Sequence, residues 1–325
     1  MGFFDRWRRP KGVDDGVDQT GYDILDEVEP DDQMVDEAVT ERVLPGFLRF
    51  DDVVEAVVEW YADDVPDEAE FRAIVVARAR PIWDARRRGE ASWTWGSSQH
   101  DELELAFRRL ERLGFVTGMD LGVDQGDGFL EARDLRTPDE DAPGGFREWA
   151  YAYFHTQDAE GLCLDRHVLR LAFGSFRPAP DIDPDLVATA MRSSRGEATI
   201  NERSQLSAGQ QVADVLTDRG FELDWDGTAG KRIGIVIEQW RKALPFSDLD
   251  EARRVVADEH LRVLWPGERG TSDAAALEEH DDGWHVWATD EKGGPWSNGS
   301  WHDDLGAALD RFVQIARINA RYAGR

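Results

Sequence analysis

Cysteine, lysine and long apolar runs are all scarce in this sequence of 325 residues. Its single cysteine, Cys163, excludes an intramolecular disulfide and a cysteine-rich metal cluster, which is typical of proteins from a reducing compartment. No run of about 18 apolar residues occurs, so the sequence predicts no transmembrane helix. Together these absences predict a cytoplasmic protein.

The short motifs that identify common enzymes are also missing. The sequence has no GxSxG nucleophile elbow and no dinucleotide-binding glycine fingerprint. The stretch "WDGTAGKR" (225–232) places Lys231 and Arg232 beside glycines. It departs from the order GxxxxGK[ST] and joins two predicted strands, so it does not predict a phosphate-binding loop. We therefore expect no organic cofactor and leave open a divalent metal.

Positive charge is in short supply as well. The chain has 38 basic residues against 67 acidic ones, a formal net charge of −29. A field of that sign repels nucleic acid, and it favours either a basic protein partner or simple solubility in the host. Residues 13–40 contain eleven acidic groups and no Lys or Arg, which predicts a disordered acidic tail over residues 1–40.

Only the first residues depart from this acidity. The stretch "MGFFDRWRRPKG" (1–12) mixes aromatic and basic side chains. Such a mixture indicates either weak peripheral contact with a membrane surface or an unstructured start.

The periodicity of apolar residues predicts an α+β domain over residues 41–245. Helices are expected at 50–63, from Pro66 up to Pro81, which would end or kink the second helix, at 101–114 and at about 206–219. Strands are expected at 115–119, 149–155, 168–173, 221–225 and 233–238. Helices gathered before and among mostly consecutive strands indicate a helical N-terminal part packed on a mixed sheet of about five strands.

Residues 246–325 are predicted to form a smaller module with the order α-β-β-α. A capped helix follows Pro245, "GWHVWATDEKGGPWSNGSW" (283–301) resembles a hairpin, and a second helix ends the chain. Five of the thirteen tryptophans fall in this module. On a regular strand Trp284 and Trp287 point to opposite faces, so one ring should leave the core side of the hairpin.

These tryptophans are the candidate partner-binding residues. The four that we single out share the predicted hairpin, namely Trp284, Trp287, Trp296 and Trp301. An exposed Trp can anchor a partner, and the alternative is that each ring covers one face of a thin two-layer module.

Several short motifs agree in series with one known group of proteins. They are "VLPGF", "DELELAFRRLERLGFV", "GVDQGDG", "YFHTQDAEG", "LRLAFG" and "FELDWDG". In this order the chain resembles an uncharacterised bacterial family of domains of unknown function over residues 41–245. The resemblance implies no particular activity or cofactor. Members often show cysteines in the stretch that here reads "MDLGVDQGDG", where this chain has none, and residues 177–205 look like an insertion.

The end of the second predicted strand gives the best candidate for a chemical site. In "YFHTQDAEG", His155 and Asp158 lie three residues apart, and Asp165 and His167 follow shortly after. Two imidazoles and two carboxylates could bind a metal or act as base and orienting group. The structural alternative is that Asp158 caps a short helix at 159–163 and His155 simply ends the strand.

An acidic glycine loop, "DLGVDQGDGFLE" (120–131), partly matches a calcium-binding loop. Asp120, Asp124 and Glu131 stand at relative positions 1, 5 and 12, but Gly122 and Gln125 occupy positions 3 and 6, where a carboxylate and a glycine are needed. We therefore expect a turn that leads into a short helix.

Two classes of function follow from these patterns. The first is a non-catalytic interaction or regulatory protein that binds a basic partner, which the acidity and the Trp-rich module favour. The alternative is a metal-assisted hydrolase with a site near His155 and Asp158. Convergence of the two His and two Asp residues in one pocket would favour the enzyme.

Overall fold

The computed structural model describes residues 30–93, 98–163, 166–270, 272–290, 292–294 and 299–323. Its helices are Asp32–Val43 (α1), Phe50–Trp60 (α2), Glu68–Glu90 (α3), Gln99–Arg112 (α4), Gln125–Asp134 (α5), Thr156–Ala159 (α6), Pro184–Ala190 (α7), Ser194–Asp218 (α8), Leu249–Asp258 (α9) and Leu305–Ala323 (α10). Its strands are Phe115–Gly118 (β1), Ala150–Tyr153 (β2), His167–Ser175 (β3), Leu223–Asp224 (β4), Ile233–Ile237 (β5), Val263–Leu264 (β6), Ala275–His280 (β7), Gly283–Ala288 (β8) and Ser300–His302 (β9). The α+β class is confirmed.

Helix α1 corrects the prediction of a disordered tail that reaches residue 40. Its apolar residues form one buried stripe, made by Val35, Ala38, Val39 and Val43. Asp31 caps the helix by accepting a hydrogen bond from the main-chain nitrogen of Met34 at 2.9 Å. Arg78 of α3 forms ion pairs with Asp32 and Asp36. The counter-charge that offsets the local acidity therefore comes from another part of the chain, and residues 1–29 lie outside the described part.

Helices α1, α2 and α3 share a core of their own. It is formed by apolar side chains from all three helices and by Leu244 from the segment that precedes the C-terminal module. Helix α3 does not end at Pro81 but continues to Glu90. Val75 and Ala79 before the proline and Trp83 after it are buried, and their packing offsets the hydrogen bond that Pro81 cannot donate.

A mixed five-stranded sheet of order β1-β2-β3-β5-β4 forms the centre of the larger domain. Strands β1 and β2 are parallel, and every other neighbouring pair is antiparallel. One face packs against α4 and α8, and the other carries a smaller cluster beside α5. The expected mixed sheet of about five strands is thus confirmed. The segment 177–205, which looked like an insertion, contains α7 and the first turns of α8.

The C-terminal module contains two more strands than its sequence predicted. Between α9 and α10 lies a four-stranded sheet of order β6-β7-β8-β9, in which β8 and β9 are the expected hairpin. Strand β6 has only two residues, and β7 changes from apolar to charged along its length. Neither strand has the sustained alternation by which a strand is recognised.

The chain passes from one core to the next around Pro245. Leu244 belongs to the core of α1–α3, whereas Phe246 is buried in the core of the C-terminal module. Arg87 of α3 donates hydrogen bonds to the main-chain oxygens of Leu244 and Pro245 at 2.7 and 3.0 Å. Within the described residues, the start of the C-terminal module is therefore in direct contact with α3. The domain boundary at residue 245 stays a prediction.

Candidate functional site

The turn from β2 into α6 positions His155. Strand β2 ends at Tyr153, and His155, with φ −109° and ψ 171°, is the residue that precedes the first turn of α6. Its main-chain nitrogen donates a hydrogen bond to Asp158 at 3.4 Å, and its main-chain oxygen accepts one from the nitrogen of Asp158 at 2.9 Å. Asp158 is thus the third residue of α6. The short helix predicted at 159–163 corresponds to a 3-10 helix at Glu160–Cys163, but Asp158 lies inside α6 and is not its cap.

The side chains of His155 and Asp158 meet in a buried cluster, in which Asp158 also forms an ion pair with Arg232. Nε2 of His155 lies 3.0 Å from Oδ2 of Asp158. Arg232, which directly precedes β5, donates from Nη2 to the same Asp158 oxygen and to the main-chain oxygen of Arg170 on β3. In the sequence, Arg232 stands out only beside the glycines of the stretch 225–232. Its signal for this role was weak, namely one cation at the start of a buried strand.

Burial favours the neutral form of the His155 imidazole in the folded protein. The His155 side chain is only 6% exposed, and this desolvation lowers the pKa of its imidazole. The Asp158 carboxylate acts in the opposite direction and Arg232 adds to the lowering. Nε2 lies 3.0 Å from the carboxylate oxygen of Asp158 and 3.4 Å from Nη1 of Arg232, and the shorter contact favours a neutral ring with its proton on Nε2, which leaves Nδ1 as an acceptor. This Nδ1 is buried and has no hydrogen-bond partner among the described residues.

The other two members of the predicted cluster do not complete a metal site among the described residues. His167 begins β3, and its ring packs against Gly161. Burial lowers the pKa of its imidazole, and the neighbouring Asp158 acts in the opposite direction. Asp165 lies outside the described residues. A metal at this place stays a prediction, and any such ion must compete with Arg232 for the carboxylate of Asp158.

A polar cleft of about 550 Å³ opens beside the ion pair. Its walls come from the start of α5 and from α6 together with the residue before β5, and consist of Asp124, Gln125, Gly126, His155, Gln157, Asp158 and Arg232. Asp124 is not free to bind an ion with both oxygens, because Oδ1 accepts hydrogen bonds from the nitrogens of Gly126 and Asp127 at 2.6 and 3.0 Å. The acidic glycine loop is thus a turn into a capped helix, as expected.

The cations of the glycine-rich turn after β4 are paired with carboxylates. Nζ of Lys231 lies 3.2 Å from Oδ1 of Asp224, and Arg232 contacts Asp158. The turn itself is closed by Thr228, whose main-chain nitrogen donates to Asp226 at 3.0 Å. Both cations of this turn are therefore engaged by carboxylates of the chain.

The second candidate surface is one face of the C-terminal sheet. In register, Glu278 of β7 lies opposite His285 of β8, and His285 lies opposite Trp301 of β9. His280 and Trp287 lie on the same face because each is two residues from a member of this row. We call this set, Glu278, His280, His285, Trp287 and Trp301, the outer sheet face.

Aromatic rings stack along the outer sheet face. The ring of His285 stacks on Trp301 at a centroid distance of 4.6 Å and on Trp287 at 4.9 Å. Trp301 is 57% exposed. Trp284 points to the opposite face and packs against the core that includes α10, as the odd spacing from Trp287 predicted. Trp296 lies outside the described residues.

Two trios of side chains in the described part of the chain bring their ligand atoms within 4.8 Å of one another, as one metal ion requires. One is Glu278, His280 and His285 on the outer sheet face, and the other is His100, Asp101 and Glu104 at the start of α4. Sequence reasoning identified neither trio. The first could be found only from the register of β7 and β8, and β7 itself was not predicted.

Within the described residues, no helix is both long enough and apolar enough to cross a membrane. The aromatic and basic stretch at residues 1–12 lies outside those residues, so its contact with a membrane surface stays a prediction.

Comparison with known proteins gives a family and no activity. No curated protein matches the chain significantly. No solved structure matches it either. The profile of a family described as "Domain of unknown function (DUF6891)" matches residues 29–244, which contain the His155 cleft but not the outer sheet face. The match covers about two thirds of the sequence and confirms the resemblance: the chain belongs to the DUF6891 family.

Proposed function

We propose that this protein is a non-catalytic interaction protein that binds a basic partner segment through the outer sheet face. The observation that carries the proposal is Trp301, a large aromatic residue that is 57% exposed on a sheet face that also carries Glu278. Aromatic side chains of this kind are the usual anchors of protein interfaces. Trp287 and His285 extend the aromatic surface behind it.

The negative charge of the β7–β8 hairpin favours a basic partner. The hairpin of β7 and β8 carries four carboxylates within five residues, namely Glu278, Glu279, Asp281 and Asp282. An arginine or lysine of a partner can lie over the ring of Trp301 while a neighbouring one pairs with Glu278 on the same face or with Asp281 and Asp282 of the turn. The net charge of −29 favours the same partner at long range and opposes nucleic acid. A cytoplasmic location is part of this proposal, and it rests on the single cysteine.

The buried pair of His155 and Asp158 supports a non-catalytic role for the larger domain. A general base must reach the proton that it abstracts, and the His155 side chain is only 6% exposed. A carboxylate that activates a base or binds a metal needs free oxygens, and one oxygen of Asp158 is already engaged by both His155 and Arg232. We therefore interpret the trio as a clamp between α6 and the sheet.

One observation favours a second candidate, an acid–base or metal-assisted hydrolase. A neutral imidazole oriented by a carboxylate beside a polar cleft of about 550 Å³ is an arrangement that hydrolases use. Substitution of His155 by Gln distinguishes the two candidates. A hydrolase would lose a measurable activity or a bound metal without unfolding, whereas a structural clamp changes only the stability.

Titration with basic peptides tests the interaction. The probe is a fluorescein-labelled peptide of alternating arginine and glycine, followed by anisotropy in the presence of a chelator, with an alternating glutamate and glycine peptide for comparison. Trp301→Ala should weaken binding of the arginine peptide about tenfold, since a desolvated cation–π contact contributes about 1–2 kcal/mol. The matched control is Trp60→Ala, because Trp60 is 60% exposed but belongs to α2.

The salt dependence of peptide binding distinguishes the contribution of Trp301 from long-range electrostatic attraction. Raising the ionic strength from about 0.1 M to about 1 M shortens the screening length from about 10 Å to about 3 Å and should weaken the purely electrostatic part of binding. The part that depends on Trp301 should persist, because a desolvated contact at short range is screened much less than charges that face each other across solvent. Equal affinities of the Trp301 and Trp60 variants for the arginine peptide would refute the proposed surface.

A further inference from the structure

We propose that Glu278, His280 and His285 bind one divalent transition-metal ion, with zinc as the expected species. The register of the β7–β8 hairpin creates the site. Glu278 and His285 are directly opposite one another, and His280 follows Glu278 by two residues on the same face. The ligand atoms of all three side chains lie within 4.8 Å of one another, and Oε2 of Glu278 lies 3.4 Å from Nε2 of His280.

The donor set selects the class of metal. Two imidazoles and one carboxylate are the ligands of catalytic and surface zinc sites, and they also suit nickel, cobalt and copper. Calcium and magnesium prefer oxygen ligands, and this trio offers only one carboxylate. Three protein ligands leave at least one coordination position open. Because Glu278 and His280 are exposed, water or a side chain of a partner can occupy that position.

The surroundings of His285 restrict its ring before any metal arrives. The ring lies nearly parallel to Trp301, at 14°, and also stacks on Trp287 at 27°. The ring of His280 in turn lies 4.8 Å from Trp301. A ligand that is held in one orientation loses less conformational freedom on binding than a free surface side chain does. This preorganisation distinguishes the trio from the many exposed acidic groups of the protein.

Trp287 and Trp301 also provide an optical signal for the site. A copper or nickel ion bound by His280 and His285 would lie beside these two rings and quench their fluorescence, while zinc can be followed by calorimetry. The other trio, at His100, lies beside Trp240 at a ring distance of 5.1 Å. Quenching alone therefore does not separate the two trios, and the assignment depends on variants.

The experiment titrates the full chain, freed of metal by a chelator and dialysis, with zinc in a calorimeter and with copper by fluorescence. We expect one ion per chain at this site. His280→Ala should lower the zinc affinity at least tenfold, because even residues next to metal ligands change the affinity by about 10- to 100-fold. His285→Ala should do the same, and Glu278→Gln should weaken binding by a smaller factor.

Two control variants keep the outcome unambiguous. His302 lies on the opposite face of the same sheet, and His302→Ala should leave zinc binding unchanged. His100→Ala removes the other trio and should also leave it unchanged. His280 is exposed, so its variant tests the site even if His285→Ala disturbs the aromatic stack. Unchanged zinc binding in His280→Ala, or loss of binding in His100→Ala instead, would overturn the proposal.

Metal binding and peptide binding are separate properties of the outer sheet face. The zinc titration uses the protein alone, and the peptide titration uses a chelator, so either proposal can fail while the other stands. A bound divalent cation would reduce the negative charge beside Trp301. Zinc is therefore expected to weaken binding of the arginine peptide in the unsubstituted chain but not in His280→Ala.

Discussion

Nε2 of His155 and Oδ2 of Asp158 lie 3.0 Å apart, and the same carboxylate oxygen accepts a hydrogen bond from Arg232. The two residues belong to one turn of chain, whereas Arg232 is 74 residues further on. The guanidinium also contacts the main chain of β3 through the oxygen of Arg170. The contact therefore ties α6 to the sheet, and its loss should be measurable as a change in stability.

Arg232→Ala should destabilise the fold by about 2–3 kcal/mol. Removal of one partner from a buried ion pair leaves an uncompensated charge, which usually costs about 3–5 kcal/mol, and partial exposure of the guanidinium reduces this cost. The Arg232 side chain is 26% exposed and that of Asp158 is 10% exposed. Urea unfolding followed by circular dichroism gives the free energy of unfolding.

The control for this variant is Arg166→Ala. Arg166 also forms ion pairs, with Glu222 and Glu238, but its side chain is 60% exposed. Exposed pairs contribute about 0–1 kcal/mol, so this variant should remain close to the unsubstituted protein. A similar loss of unfolding free energy in both variants would show that the contact of Arg232 with Asp158 stabilises the fold no more than an exposed ion pair does.

Acid should destabilise the protein through His155. Burial lowers the pKa of His155 in the folded state, whereas in the unfolded chain it titrates near its ordinary value of about 6.5. Below that pH the unfolded state therefore binds the proton first, so this contribution to stability is complete above pH ~6.5 and declines as the pH falls. Unfolding free energies at several pH values below neutrality, compared between the unsubstituted protein and His155→Gln, measure the effect.

The unsubstituted protein should lose more stability on acidification than His155→Gln does. Burial also lowers the pKa values of His100 and His167, so only the difference between variants isolates His155. Parallel profiles for the unsubstituted protein and His155→Gln would contradict this assignment.

Gly122→Ala should destabilise the turn before α5 by about 2 kcal/mol or more. Gly122 has φ +69°, and a Cβ atom there would lie 2.3 Å from the main-chain nitrogen of Gly128. Left-handed backbone costs an alanine about 1–2 kcal/mol, and the close contact adds to this cost. Gly145→Ala is a matched control, because Gly145 has φ +78° and open space around it. The midpoint temperature of thermal unfolding should be clearly lower for Gly122→Ala than for Gly145→Ala.

Local periodicity was enough to predict the sheet and most helices of the larger domain. Helix α4 illustrates this, because its apolar residues recur at helical spacing and Gly114 follows its end with φ +85°. The same reasoning failed for α1. The charges of α1 suggested disorder, and the arginine that pairs with them, Arg78, is more than forty residues away.

The sequence predicts the contacts of the candidate sites that join residues close together in the chain, but not the contacts between strands. The spacing of His155 and Asp158 correctly suggested that they could meet, but the third partner, Arg232, depends on how β5 pairs with β3. The outer sheet face depends in the same way on the pairing of β7 with β8. Cross-strand neighbours are set by register, which the sequence of a single strand does not contain.

Glu90→Gln should destabilise the contact between α3 and the C-terminal module by about 3 kcal/mol. Glu90 is fully buried, and its carboxylate lies 3.3 Å from Arg87 and 3.5 Å from Arg317 of α10. It also accepts a hydrogen bond from the main-chain nitrogen of Leu244 at 2.7 Å. Glutamine can keep that hydrogen bond but removes the negative charge between the arginines, and a buried charge without its partner is costly.

Amide hydrogen exchange rates show which part of the fold is destabilised in Glu90→Gln. Because Arg317 belongs to α10, the amides of α10 should exchange faster in Glu90→Gln, whereas the amides of β3 and β5 should change less. Glu68→Gln is the control, since Glu68 lies on the same helix but its side chain is 64% exposed and 3.6 Å from Arg72. If Glu90→Gln accelerated exchange equally throughout the chain, the charge would stabilise the whole fold and not the junction. Faster exchange confined to α10 and the segment around Leu244 would identify Glu90 as the residue that holds the C-terminal module on α3.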